Sequence, residues 1–570
     1  MDKHLFFERN LLALSRGNPA LCARLSGAET TLGRYRFVEG SRDDRDIPAW
    51  VDPGGAAHTL HSLVSPEREA EKLASTLTRE QYVVLLGLGA GFAAEAILAR
   101  DDTAYLLAIE YDINGLAELL CHYDYIKIFN DPRFFILADP CSPEIEKHIL
   151  STFQPALHNG IRTLPLRART MHDDSHFTPA AEAVKSAIDK VASDYSVQAL
   201  FGKRWFSNII RNIFTAEKQS CIFAPVKHAA ICAAGPSLDL QLDLITRKRK
   251  AFFLISTDTA LPTLLEAGLP PDAVISIDCQ HISYYHFMKR LPPDIPLFLD
   301  LSSPPLLTTL AKRTFFFSGG HPFSVYTTHF FRHFPVIDTS GANVTFAALS
   351  LAERLGASVI ELYGADFSYP KGKLYTRPAY LYSYFRRKQN RFGPAENSAA
   401  SFLYNTKSLQ RVENGSSWYY QTRALSMYRE KFEQKVSSTG IRLNAAPGEG
   451  ALINFCPAGT DDRQDDQNLM FEINAPVQLL AAGKPLCGAK EFLETYRKEI
   501  NELPLPEENI TIYQRKLSDM EHLVFTTLLP TVAAIKYRCA ELGAKELLSA
   551  VKNYCMTEIA RVSAAHLRFH

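Results

Sequence analysis

Ala229–Ala230–Ile231–Cys232–Ala233–Ala234–Gly235–Pro236–Ser237–Leu238–Asp239 is the stretch on which the fold reading turns. A short apolar run stops at Gly-Pro-Ser, and an amphipathic pattern begins. The change of period predicts a buried parallel strand, a tight turn and a helix start. Unpaired N–H groups at such a helix start attract an anion, a nucleotide phosphate among them. Gly235 lets the backbone approach a ligand closely, Pro236 fixes the chain without offering a donor, and Ser237 can cap the helix or hydrogen-bond a phosphate. Many such junctions bind nothing, so the weight of this one rests on the strand ends that follow it.

Residues 225 to about 370 alternate strand and helix with little loop between them. Candidate strands are 229–234, 251–256, 273–278, 296–300, 314–318, 335–338 and 358–363. Alternation at this spacing predicts a mostly parallel, helix-covered sheet, in which ligands bind beyond the carboxyl ends of the strands. Those ends carry Thr257–Asp258, then Asp278–Cys279–Gln280–His281, then Gly319–Gly320–His321, Gly341–Ala342–Asn343, and Gly364 with Asp366 and Tyr369. Each has a plain structural reading: Asp258 can cap the next helix, and His281 and His321 can be ordinary surface residues. Together, Asp258, Asp278 and Asp366, two histidines and two glycine turns are expected to face one crevice. Such a crevice could hold a phosphate and supply a general base. The Gly341–Asn343 turn is a second candidate anion contact.

Residues 371–420 are rich in Tyr, Ser, Asn, Arg and Lys and lack periodicity, and they read as a lid or long loop with short helices. Arg386, Arg387, Lys388 and Arg391 form a basic cluster there, with Tyr380, Tyr382 and Tyr384 close by. It could hold a carboxylate or phosphate as the lid closes, or be a solvated face. Upstream, Tyr82–Leu86 runs into Gly87–Leu88–Gly89–Ala90–Gly91, a helix follows to Arg100, and a second strand at 104–109 ends in Glu110. This order resembles a nucleotide-binding half, but the short loop and the lack of a downstream methyl-transfer motif favour a ligand-free Rossmann-like scaffold. Residues 1 to about 65 read as short strands. A long helix from Thr178 through Ile213 joins the two α/β parts, with Trp205 as a packing anchor between domains. Asp461–Gln467 reads as a charged flexible connector, and the pattern from Lys484 onward is helical.

At 570 residues the chain is too long for one core. The fold class expected is multidomain α/β. It has a short-strand region at 1–65, a Rossmann-like domain at 66–175 and linking helices at 176–220. A catalytic domain at 221–460 carries the lid near 371–420, and a helical bundle follows at 461–570. Its 62 Lys and Arg balance 62 Asp and Glu, which argues against nucleic acid or a membrane surface as main partner. Ten scattered cysteines with no C-x-x-C pair suggest neither a disulfide framework nor a zinc site, and favour a reducing, cytoplasmic setting. No apolar run has the length to insert in a membrane.

The central motifs resemble the Maf (motility accessory factor) flagellin glycosyltransferases. Ala234–Gly235–Pro236–Ser237–Leu238–Asp239 is similar to their G-x-G-P-S-L-D signature. Ser256–Thr257–Asp258–Thr259–Ala260–Leu261, Gly268–Asp272 and Val274–Gln280 follow in the family's order. Gly341–Val344, Leu362–Tyr369, Asn444–Ala445 and Gly448–Ile453 complete the set, and Phe201–Trp205 with Asn208 and Asn212 looks like the helix before the signature. Ala234 and Ala342 depart from the pattern, each standing where glycine is common. The resemblance implies a central domain like the bacterial sialyltransferases. It implies transfer of a nonulosonic acid, pseudaminic or legionaminic, from a CMP-activated donor to Ser or Thr of flagellin, with no cofactor required. On that reading Gly235, Pro236, Ser237, Thr257, Gln280, Gly341, Asn343, Gly364 and Tyr369 bind the donor. Asp258, His281, Asp278 and Asp366 line the reaction centre; the motif does not fix which group takes the acceptor proton, with Asp258 the first candidate and His281 the second. The same signature occurs in a pterin diphosphokinase-like branch, which would use ATP with Mg²⁺. A non-catalytic flagellin-binding accessory protein is the third reading.

Overall fold

The computed structural model describes residues 3–40, 46–52, 54–79, 81–219, 222–288, 290–406, 408–414, 417–454, 480–481 and 483–568. The expected connector at 461–467 lies outside the described residues. The chain divides into two compact units. The first holds Met1–Gly202 and Glu502–Tyr554, the second Lys203–Asn501 and Cys555–His570. The C-terminal helices, expected as one bundle from 461 onward, are therefore shared between the two units. The helix Asp174–Lys218 contributes to both.

The first unit corrects the reading of its N-terminus. Lys3–Gly17 and Pro19–Ser26 are helices, not strands. Ala13, Leu14, Leu21 and Leu25 are buried at helical spacing. The buried polar residue Asn10 breaks the apolar stripe in the sequence; its amide donates to the Leu120 and Tyr123 carbonyls at 2.8 and 2.7 Å. Only then come the strands β1 (Tyr35–Glu39), β2 (Asp46–Val51) and β3 (Ala57–Thr59), a small antiparallel sheet. β4 (Tyr82–Leu86), β5 (Tyr105–Glu110), β6 (Phe134–Ala138) and β7 (Ile161–Pro165) form a parallel sheet in the order β6-β5-β4-β7. β4 and β5 are fully buried apolar runs, as strands covered on both faces must be. Gly202 abuts the helix Asp519–Lys536 so closely that a Cβ there would fall on the Pro530 carbonyl.

In the second unit β8 (Ile222–Phe223) is a short edge piece. The main sheet begins with β9 (His228–Cys232), β10 (Phe253–Thr257), β11 (Ala273–Ser276), β12 (Leu297–Asp300) and β13 (Thr314–Phe317). β14 (Val359–Tyr363) follows, then β15 (Tyr369–Pro370), β16 (Gln410–Asn414), β17 (Ser417–Gln421), β18 (Arg442–Ala445) and β19 (Leu480–Ala481), which pairs with β8. The main sheet is seven-stranded and parallel, ordered β13-β12-β11-β10-β9-β14-β18. The expected strand at 335–338 is not one: Val336 makes only an isolated bridge to Ser318. From β9 the chain builds outward to β13, then returns to lay β14 on the opposite side. The topological switch therefore lies between β9 and β14. The region 371–420 is more ordered than a loop. Helices Tyr380–Lys388 and Ala395–Tyr404 pack with the sheet β15-β17-β16 around Leu374, Leu381, Phe385 and Leu403.

Candidate functional site

The Gly235–Pro236–Ser237 turn sits at the switch point, and its donors are engaged by the protein. The Gly235 N–H donates to the Gly364 carbonyl at 2.8 Å, and the Ser237 N–H to the Asp366 carboxylate at 2.8 Å. The Ser237 hydroxyl accepts from the Glu449 N–H at 2.8 Å, and Ser237 is buried. A Cβ at Gly235 or Gly450 would collide with Asp366, and one at Gly364 with the Ala233 carbonyl. The expected phosphate cradle is thus a latch. Asp366 fills the anion position at the helix start and ties the loop Pro447–Ala451 over it. Burial pushes the Asp366 carboxyl up, while the Ser237 hydroxyl and N–H that bond it pull it back. Asp366, expected at the reaction centre, serves the fold here. Pro236 is buried in the same turn. Thr257 is likewise internal: its hydroxyl donates to the Cys232 carbonyl at 3.1 Å.

Two of the expected carboxylates do come together. Asp258 follows β10 and is almost fully buried; its Oδ1 accepts from the Thr259 N–H and hydroxyl at 2.7 and 3.0 Å, its Oδ2 from the Ser276 hydroxyl at 2.6 Å. It does not cap the next helix, whose N-cap is Ala260. Asp278, past the end of β11, accepts the Gln280 N–H at 2.9 Å. Burial raises the Asp278 carboxyl, and the nearby Asp258 charge raises it further. The lid supplies two phenols to this pair. Burial raises the Tyr380 hydroxyl, then Asp278 and Asp258 do so; Tyr375 is raised by burial, by Tyr369 and Tyr380, and by Asp258. Tyr380 also meets the His286 ring edge-on at 4.5 Å, and His286 Nδ1 is buried without a partner. Tyr369 on β15 belongs to the lid core beside Tyr375. Ser276 and Tyr375 were not singled out in the sequence. Ser276 hid inside an apolar strand and Tyr375 in an aperiodic stretch. His281 is exposed at the start of a 3-10 turn, away from the buried carboxylates' hydrogen bonds.

Asn343 caps the helix Val344–Arg354. Its Oδ1 accepts from the Phe346 N–H at 2.9 Å, and its amide donates to the Gly341 carbonyl at 3.0 Å. Gly341 is pressed against Phe346. Ala342 between them has φ 58°, the left-handed region that glycine prefers. Its exposed methyl carries strain that glycine would release. Ala342→Gly is expected to raise stability by roughly 0.5–1 kcal/mol in thermal unfolding, even after the extra unfolded-state entropy of glycine.

The outer strand ends hold a second buried polar group. Asp300 ends β12, accepts from the Ser302 N–H and hydroxyl at 2.7 and 2.6 Å, and is raised by burial. Asn208 and Asn212, from the helix wall, satisfy the loops beyond β11 and β12. Asn208 donates to the Cys279 and Ser302 carbonyls, Asn212 to those of Leu301 and Ser303. Trp205 lies in this unit too, edge-on to His321 at 5.1 Å. His321 is the N-cap of the helix Pro322–Phe330; its Nδ1 accepts from the Phe323 N–H at 3.2 Å. Burial lowers its pKa from 6.5 to about 3. The folded ring stays neutral where the unfolded chain takes a proton, so this stability is present above 6.5 and lost as pH falls below it. His321→Asn keeps the acceptor and removes the titration. Between about pH 7 and pH 5 the unfolding temperature of the wild type should fall more steeply than that of the variant.

In the first unit the glycine turn after β4 is filled from within. The Leu88 N–H donates to Glu110 at 2.8 Å and the Ala90 N–H to His61 Nε2 at 3.0 Å. Gly91 stands against Tyr125 and Ile128. Glu110, the acid that ends the second strand, is buried and paired with Arg169 at 3.1 Å. That is the scaffold reading of this unit.

Comparison with known proteins places the second unit. The family model described as 6-hydroxymethylpterin diphosphokinase MptE-like matches residues 205–372. An uncharacterized protein of Treponema pallidum (strain Nichols) is 32% identical over 168 residues, 28% of this chain and 78% of that protein. Another from the same organism is 33% identical over 157 residues, 26% of this chain, which spans about half (54%) of that protein's length. Among solved structures, the Maf glycosyltransferase from Magnetospirillum magneticum AMB-1 superposes with a TM-score of 0.59 at 13% identity, covering 99% of this chain and 95% of that one. At that identity the likeness is one of fold. No described helix is long and apolar enough to cross a membrane. Among the described residues no group of three or more His, Cys, Asp or Glu could hold a metal ion.

Proposed function

Since residues 205–372 match the MptE-like family model and the chain shares the fold of a Maf glycosyltransferase, we propose that it is a glycosyltransferase that moves a nonulosonic acid, pseudaminic or legionaminic, from its CMP donor to Ser or Thr hydroxyls of flagellin in the cytoplasm. The observation that supports the reading is the Asp258–Asp278 pair at the carboxyl ends of β10 and β11, whose charges reach the phenols of Tyr375 and Tyr380 from the lid. CMP is a good leaving group. The protein must place an acceptor hydroxyl, take its proton as the new bond forms, and stabilise charge on the departing phosphate. Asp258 is the base. Its carboxylate is held by Ser276 and Thr259, an arrangement that fixes its orientation. On this reading the phenols of Tyr375 and Tyr380 donate to the departing phosphate. Burial and the nearby Asp258 charge push the Asp278 carboxyl up at the same centre.

The name of the matching family favours a second reading, an ATP-dependent pterin diphosphokinase, for which the facing carboxylates would be Mg²⁺ ligands. Calorimetry separates the two. CMP binding without ATP–Mg²⁺ binding supports glycosyl transfer; tight ATP–Mg²⁺ binding with no CMP binding overturns it. Mass spectrometry of flagellin co-expressed with the protein and a nonulosonate pathway then tests the acceptor. A tight flagellin complex with no added sugar would make the protein an accessory binder.

A further inference from the structure

The chain as a whole is neutral, yet its lid is strongly basic. From Lys371 to Arg423 there are ten lysines and arginines against two glutamates. Every described one of these cations is exposed. Lys371 and Arg411 have carboxylate partners in Glu449 and Glu413. Among the described residues, none is paired with Arg386, Arg387 or Arg391, which cluster at and just beyond the end of the helix Tyr380–Lys388. An unpaired run of this kind raises the local potential and draws in an anionic partner.

The lid also exposes apolar side chains, one of them in a fixed form. Phe392 is 92% exposed, with Phe402 at 46%, Tyr404 at 60% and Tyr384 at 40%. Phe392 stands at the tip of a closed turn. Asn390 Oδ1 accepts from the N–H groups of Phe392 and Gly393 at 2.9 Å each, and Asn390 and Gly393 exchange backbone bonds at 3.1 and 3.2 Å. A large exposed aromatic on a turn already ordered, flanked by free guanidinium groups, has the composition of a protein-binding hot spot. The helix that ends in Arg386–Lys388 begins, one turn before Tyr384, with Tyr380, whose ring meets His286 of the turn just beyond Asp278 at 4.5 Å and whose hydroxyl feels the Asp278 and Asp258 charges. Tyr384 in turn lies under the Lys388 ammonium at 4.3 Å. The basic aromatic face is therefore continuous with the candidate site.

We propose that this face docks the polypeptide acceptor and selects a segment rich in Asp and Glu around the reacting hydroxyl. The inference rests on the glycosyl-transfer reading and deepens it by naming the acceptor's chemistry. Asp258 is 4% exposed; an extended peptide can thread a side chain to it, whereas the headgroup plane of a bilayer cannot.

The test uses the full-length protein and two short synthetic peptides, each with a central Thr, one flanked by Asp and Glu and the other by Lys. Binding is read by fluorescence anisotropy at low and high salt. The acidic peptide should bind at least about tenfold tighter than the basic one, and lose that margin at high salt. Arg387→Glu with Arg391→Glu should weaken acidic-peptide binding about tenfold or more. Phe392→Ala, a change at an exposed tip that disturbs no core, should weaken it severalfold. CMP-donor binding and acceptor-free donor hydrolysis should stay unchanged in both variants. Equal binding of the two peptides, or undiminished binding by the charge-reversed variant, overturns the proposal. So does binding to vesicles of anionic lipid that exceeds binding to the acidic peptide and is lost in the same variant. Acidic-peptide binding that persists in a wild type unable to bind or consume the CMP donor would sink the transfer reading and leave the docking surface standing.

Discussion

Replacing Asp258 with Asn should reduce transfer by roughly 10²- to 10⁴-fold, the range removed when a positioned general base is lost. The substitution keeps the shape. An Asn oxygen can still accept from the Thr259 N–H and hydroxyl, now at 2.7 and 3.0 Å. The Ser276 hydroxyl, which donates to Oδ2 at 2.6 Å, can turn and accept from the amide instead. Stability should therefore change by less than about 1 kcal/mol, and the loss belongs to chemistry rather than folding. Tyr380→Phe tests the other half of the step. If its phenol supports the leaving phosphate, kcat falls by about 10²-fold or more while donor affinity changes far less. His281→Asn is the control, because its exposed position gives it no part in the buried pair. The measurement is initial rate of donor consumption with acceptor present, with thermal unfolding of each variant alongside. A D258N enzyme within tenfold of the wild type would return the base assignment to His281 or to a group outside the pair.

The strands that carry this site could be read directly. Parallel strands covered on both faces are continuous apolar runs, and β10, β11 and β12 end in the polar residues Thr257, Ser276 and Asp300, which break the run. That is why Asp258 and Asp278 could be placed at strand ends from the sequence. What could not be read is who meets whom across the chain. Ser237 and Asp366 are 129 residues apart, Ser237 and Glu449 further still. Nothing local distinguishes a glycine turn that waits for a phosphate from one already holding its own carboxylate. The Ala342 departure was legible as an oddity; its φ of 58° gives the reason glycine is favoured there. The N-terminal helices were missed because Asn10 is buried by two backbone carbonyls and so interrupts the apolar stripe. Tyr375 and Tyr380 sit where no period exists, since the lid's order comes from a small tertiary core around Leu381 and Leu403.

The largest expected loss of stability follows from Arg169→Ala in the first unit. Arg169 has no exposed surface. Its guanidinium meets Glu110 at 3.1 Å, Asp173 at 2.7 Å and the Tyr111 carbonyl at 3.0 Å, and it stacks over Trp50 and Phe177 at 4.9 and 5.1 Å. Burial alone would lower its pKa, but Glu110, Tyr35 and Asp173 outweigh that and carry it up, so the group stays charged. Glu110 in turn holds the Leu88 and Tyr111 N–H groups at 2.8 and 3.0 Å, the first of them inside the glycine turn. Truncation at Arg169 leaves that carboxylate buried without its cation and opens a void beside Gly87, where the Arg169 stem now packs. A cost of about 3–5 kcal/mol is expected in denaturant unfolding of the first unit. The partner test separates charge from volume. Arg169→Met keeps most of the packing but not the charge and should remain strongly destabilised, whereas Arg169→Met with Glu110→Gln should recover part of the loss, since both members of the pair are then neutral. If the double variant is no better than Arg169→Met alone, packing rather than the ion pair holds the turn. Recovery would mean that this chain keeps the turn of a nucleotide-binding unit and closes it with its own arginine. Saturating NAD or S-adenosylmethionine should then leave the unfolding temperature of the wild type unmoved.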